Sequence, residues 1–178
     1  ADMRERFEQQ MEILHTELIE LGALCEQAIG RTYEVLLEGN QRAAEEIIKK
    51  DQVVDAKERE IEDLCFRIIL QQQPVARDLR QVSAALKMIT DMERIGDHAA
   101  DISEMTILMS DATYERSAIN IDLVESMAKE TTDMVIKCVD AFVNKDLELA
   151  RTVIAQDDVV DDLFADFKQQ LILSLIHI

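Results

Sequence analysis

Between Arg4 and Glu38 the chain keeps one apolar rhythm for about ten helical turns of 3.6 residues. Phe7, Met11, Leu14, Leu18, Leu21, Cys25, Ala28, Tyr33 and Leu36 recur at steps of three and four, with occasional slips. A stripe of this period is one face of a long amphipathic helix, buried on that side and wet on the other. Gly39 follows as a residue free to take the left-handed turn that stops a helix, and Asn40 as a natural cap for the next. Two long helices joined by so tight a turn form a hairpin. Sheet alternatives lack material, because the 178 residues hold only 4 Gly, 1 Pro, 4% aromatics and no Trp. A chain of this length with 48% hydrophobic residues supports one well-buried domain, so the expected class is all-α.

The remaining elements follow by the same signals. A second helix is predicted from about Gln41 to Gln72, with Ile47, Ile48, Val54, Ile61, Leu64, Cys65 and Ile68 inward. Pro74 ends it or opens the third, which extends to about Ser110. Asp111 to Asn120 reads as a polar loop in which Thr113, Tyr114 and Ile119 could pack. A fourth helix runs from about Asp122 to Val143, Asn144 and Lys145 turn, and Asp146 caps a fifth that continues towards the end. Sliding the chain by 106 positions sets Asn40 on Asp146, Ala44 on Ala150 and Ile48 on Ile154. The same shift sets Asp51-Gln52-Val53-Val54-Asp55 on Asp157-Asp158-Val159-Val160-Asp161, without a gap. The expected organisation is a first repeat over residues 1–112 with three helices and a second over 113–178 with two, its last helix missing.

Two acid stripes mark the candidate chemistry. Thr90, Glu93, Asp97, Asp101 and Glu104 climb one face of the third helix, opposite Met88, Met92, Ile95, Ala99 and Ile102. Asp51, Asp55, Glu58 and Glu62 climb one face of the second. Like charges at these steps repel by a few tenths of a kcal/mol per pair and call for water or a cation. In an antiparallel hairpin about Pro74, Asp55 lies 19 residues before the proline and Glu93 19 after it, so the two pairs meet at one level. Four converging carboxylates offer oxygen ligands, which favour Mg, Ca, Mn or iron over thiolate-loving ions. His98 stands beside Asp97 as an optional ligand or a hydrogen-bond support for one. Gly96, costly inside a helix by about 1 kcal/mol, points to close approach of a neighbour. The bland alternative is a solvated acidic face, with Arg80, Lys87 and Arg94 forming a basic column that partly neutralises it.

Other chemistry finds no footing. Glu12 to His15 is a single Glu-x-x-His step where di-iron bundles need two. No nucleophile with a base, and no glycine-rich phosphate loop, is arguable, so no catalytic residue is assigned. The 8 methionines sit at helical spacing as core, and His177 lies in an apolar tail. Against 37 Asp and Glu stand 19 Lys and Arg, a net charge of -18 that repels nucleic acid and attracts cations or basic surfaces. Cys25, Cys65 and Cys138 stand far apart in apolar patterns, as reduced core thiols of a cytosolic protein do. Neither a membrane span nor a secretory signal is visible.

Asp91-Met92-Glu93-Arg94-Ile95-Gly96-Asp97-His98-Ala99 closely resembles the third-helix signature of the PhoU family of phosphate-signalling proteins. Asp51-x-x-x-Asp55, its copy Asp157-x-x-x-Asp161, and Arg77-Asp78-Leu79-Arg80 after Pro74 fit the same pattern, and the resemblance covers almost the whole chain. It implies two similar antiparallel three-helix bundles side by side, the second truncated here. It also implies acid pairs that bind multinuclear metal clusters, iron first among Mn, Mg, Ca and Zn. Asp51, Asp55, Glu93 and Asp97 would form the first site and Asp157 and Asp161 half of the second. The implied role is a cytoplasmic, non-enzymatic regulator of phosphate uptake and of phosphate-regulon transcription. Such a regulator links the phosphate ABC transporter to a sensor histidine kinase and associates as a homodimer. An incomplete second bundle and the apolar ending from Leu171 to Ile178 lead to the expectation of self-association, with the chain a fragment or covered by a partner. A metal-free helical interaction module with acidic docking faces is the competing expectation.

Overall fold

The computed structural model describes residues 2–110 and 120–176, and every regular element among them is helical. These are α1 (Met3–Glu38), α2 (Gln41–Gln72), α3 (Arg77–Ser110), α4 (Ile121–Val143) and α5 (Leu147–Ile176). The expected loop at 111–119 and His177 lie outside the described residues.

The connections are made by the chemistry of their residues. Gly39 takes φ 64 and its N–H bonds the Val35 carbonyl at 2.7 Å, closing α1 with a left-handed cap. The Asn40 side chain then accepts the Ala43 N–H at 3.2 Å, satisfying one of the donors a helix start leaves open. Asp146 does the same for Leu149 at 3.0 Å, as expected, with Lys145 in the turn at φ 55. Asn120, expected as loop, is the cap of α4 and accepts from the Leu123 N–H at 3.1 Å. Pro74 belongs to neither helix. It stands between Gln73 and Ala76, both at φ 45, two non-glycine residues held left-handed at about 1 kcal/mol or more each.

Cross-helix ion pairs give the directions. Lys57 bridges Glu17 and Glu20 while Arg31 reaches Glu46, so α1 and α2 are antiparallel. Arg94 meets Asp161 and Asp101 meets Lys168, both 67 residues apart, so α3 and α5 run parallel. Helices α1, α2 and α3 touch pairwise as a three-helix bundle. The α4–α5 hairpin lies mainly against α1, with lesser contacts from α3.

A large apolar core draws on all five helices, and a small second one joins Val35 to Ala44 and Ile47. Leu14, Leu18, Leu21 and Cys25 of α1 are fully buried, and the same large core holds Ile61 and Ile68, Ile89 and Ile102, Val124 and Phe167. Each such side chain removed from water contributes roughly 1.5–3 kcal/mol. Gly22 lets α4 close on α1, since a Cβ there would stand 3.1 Å from Val139 Cγ2. The three cysteines are free and buried, and burial pushes each thiol up to about 12. No helix among the described residues is long and apolar enough to cross a membrane.

Candidate metal centre

Two antiparallel helices of equal rise bring residues equidistant from their turn to one level. Asp55 and Glu93 each stand 19 residues from Pro74, and Asp51 and Asp97 each stand 23. Carboxylate oxygens of Asp51, Asp55 and Asp97 lie within 4.8 Å of one another, as do those of Asp55, Glu58 and Glu93. Asp55 belongs to both groups, so five acids make one continuous cluster. All four residues predicted for the first site come together. Glu58, on the predicted stripe but outside the predicted site, is the fifth and the most enclosed, 8% exposed.

The cluster lacks an internal counter-charge. None of its five acids is in an ion pair among the described residues. One oxygen each of Asp51 and Asp55 is buried with no hydrogen-bond partner. Burial, then Asp55 and Asp97, push the Asp51 carboxyl up to about 6. Asp97 is raised by burial, Glu93 and Asp55. Glu58 is pushed far above the carboxylate range, first by burial and next by the hydrogen bond and charge of Glu93. Gly96 explains itself here. A Cβ on it would stand 3.2 Å from the Asp51 Oδ1 and 3.5 Å from Val54 Cγ1, so the missing side chain keeps space for that carboxylate. The close neighbour is thus a side chain as well as a helix.

The basic column serves other acids. Lys87 reaches Asp91 at 3.4 Å, and Arg80 makes no ion pair among the described residues. Arg94 holds Asp91 and Asp157 at 2.8 Å and Asp161 at 3.1 Å. Burial lowers its pKa, yet those three acids outweigh burial and raise it. Asp157 and Asp161 therefore face a guanidinium of α3, and they join no group of three potential ligands among the described residues. His98 points to the same side, stacked on Phe164 at 4.6 Å, with Nε2 3.4 Å from Asp161 and Nδ1 3.2 Å from Lys168. Burial and then Lys168 hold His98 below its usual value. His15 sits edge-on to Phe142 at 5.3 Å.

The donor set suits a hard cation. Its oxygens are gathered, two lack partners, and a glycine clears room for one of them. A helical bundle with an oxygen-only cluster between two paired helices defines an acid-cluster bundle protein. The chain belongs to the PhoU family, matching the PhoU domain over residues 18–106 and 124–177. It is 35% identical to a phosphate-specific transport system accessory protein PhoU homolog of Clostridium acetobutylicum, over 95% of this chain and 76% of that protein. The identity is also 35% to the homolog of Aquifex aeolicus, over 94% and 75%. The fold matches the crystal structure of PhoU from Pseudomonas aeruginosa with a TM-score of 0.78 at 26% identity, covering 96% of this chain and 81% of that one. It also matches the fold of the phosphate transport system regulatory protein PhoU from Streptococcus pneumoniae, TM-score 0.74, over 93% and 77%.

Proposed function

We propose that this chain is a metal-binding regulatory accessory protein of phosphate-specific transport. It acts in the cytoplasm, without catalysis, linking a phosphate ABC transporter to a sensor histidine kinase and restraining phosphate-regulon transcription when phosphate is plentiful. The observation that carries the metal reading is the cluster of five carboxylates with no internal cation. Asp51, Asp55, Glu58, Glu93 and Asp97 would hold the metal, iron first and Mn, Mg, Ca or Zn as alternatives. A metal there supplies the positive charge that lets five acids ionise together. The chain's own residues set the rest: Gly96 leaves the Asp51 carboxylate its place, and burial of Glu58 closes the cluster from α2.

The transport role rests on the names of relatives that the chain matches over more than nine-tenths of its length. The two stretches matching the PhoU domain begin 106 residues apart, the offset that superposes the acid pairs, which supports repeats at 1–112 and 113–178. In that scheme Asp157 and Asp161 are half of a second site, to be freed from Arg94 before they take a metal. We further infer a homodimer.

Elemental analysis of protein purified without chelator tests the metal, with the double variant Glu93→Ala, Asp97→Ala beside it. The parent is expected to carry metal and the variant to lose most of it; equal content in both sinks the site. The regulatory role is checked in a bacterium lacking its own accessory protein of this family. Expression of the chain should restore repression of a phosphate-starvation reporter, and unchanged reporter output rejects the role.

A further inference from the structure

The α2–α3 hairpin has a second distinctive surface, at its Pro74 end. Phe66, Leu70, Val75 and Leu79 are exposed by 47%, 75%, 75% and 39%. Phe66 and Leu70 are one turn apart on α2, while Val75 and Leu79 leave the turn into α3, so four exposed apolar side chains are gathered at the hairpin tip. Exposed apolar side chains gathered in one place mark interaction sites on soluble proteins.

The tip's surroundings are richer in basic side chains than the rest of the molecule, although the exposed Asp63 stands one turn from Arg67. Arg67, Arg77 and Arg80 are exposed and make no ion pair among the described residues, in a chain of net charge -18. The nearby Asp78 is already held by Arg4 at 2.6 Å. Asp55 and Glu93, 19 residues from Pro74, lie about 28 Å up the hairpin at 1.5 Å per residue. That exceeds the ionic screening length of about 8 Å at physiological salt, so the metal cluster and the tip act as separate electrostatic surfaces.

We propose that this tip is a docking site for an acidic amphipathic helix of a partner protein. The four apolar side chains would meet the partner's apolar stripe, and Arg67, Arg77 and Arg80 its flanking carboxylates, by charge-assisted and bidentate contacts. A helix is the fitting occupant because the described residues offer no strand edge for an extended segment to extend. A lipid bilayer fits less well: lipid-binding segments gather four to eight basic residues, as a rule, whereas three arginines here sit on a strongly acidic body. The inference does not depend on the metal reading.

The test uses the full chain with chelator present and a synthetic fluorescent amphipathic helix, leucines on one face and glutamates on the other. Its controls are the same helix with lysines for glutamates, and vesicles containing phosphatidylserine. Fluorescence anisotropy should show the acidic helix binding and weakening as salt is raised, with the lysine helix and the vesicles at least tenfold weaker. Leu70→Ser, and separately Arg77→Gln with Arg80→Gln, should each weaken the acidic helix about tenfold. These side chains are exposed, and unchanged circular dichroism would show that the fold persists. Undiminished binding in both variants, or vesicle binding that exceeds helix binding, overturns the proposal. So does a dimer in sedimentation velocity that dissociates on Leu70→Ser, which gives the surface to a second copy of the chain.

Discussion

Replacing Glu58 by Gln removes one charge from the acid cluster and keeps the shape of the side chain. Glu58 is 8% exposed, and oxygens of Asp55 and Glu93 lie within 4.8 Å. Burial and Glu93 raise its carboxyl well above the ordinary 4.5. A carboxyl raised in the folded state contributes its full stability below its unfolded value and loses that contribution as pH climbs through its folded value. Each unit of pH inside that window amounts to about 1.4 kcal/mol, so the loss by pH 7 has a ceiling of about 3 kcal/mol. Solvent at the mouth of the cluster screens this to about 1–2 kcal/mol. Glutamine has no proton to lose. With chelator present, the variant should therefore melt within about 2 °C of the parent at pH 4.5 and about 2–8 °C above it at pH 7.5, since 1 kcal/mol moves Tm by about 2–4 °C in a chain of this size. Scanning calorimetry at the two pH values measures this. Saturating Mn should then favour the parent, which has the extra ligand. A difference of the same size at both pH values would refute the account of a protonated, buried Glu58.

Gly96→Ala should separate folding from metal binding. The alanine gains about 1 kcal/mol of helix propensity, partly offset by contact with Asp51, so Tm should hold or rise slightly while Mn affinity in calorimetric titration falls several-fold. Leu18→Ala, at a site with no exposure in α1, should destabilise by about 2–5 kcal/mol in urea unfolding and leave a single transition. The thiols of Cys25 and Cys65, buried completely and raised to about 12, should resist a disulfide reagent at pH 8 until denaturant opens the fold.

Much of the architecture was legible in the sequence because long helices announce themselves through period and caps. Gly39, Asn40 and Asp146 sit where their conformations and side chains are needed, and the count about Pro74 places Asp55 beside Glu93. That count works because both helices share one rise and one turn. It does not say how far the helices roll about their axes, so it left Glu58 on an open stripe, whereas the structure turns it into the seam. The pairing of Arg94 with Asp157 and Asp161 was less accessible still. It depends on α3 and α5 running parallel side by side, a neighbourhood set by tertiary packing and by no local spacing. The same limit hides how the other helices are distributed around α1, because the burial pattern of α1 records which residues are inside and not which helix covers them.

That central place of α1 has a mechanical consequence. The same rod that backs the α2–α3 hairpin, where the acids gather, is the floor on which α4 rests and through α4 carries α5, with Gly22 bringing α4 close enough for its valines to key into it. A close-packed interior of this kind yields little to compression and transmits displacement. Drawing α2 and α3 together would load α1 along its length, and the opposite hairpin would feel the change without a hinge between them.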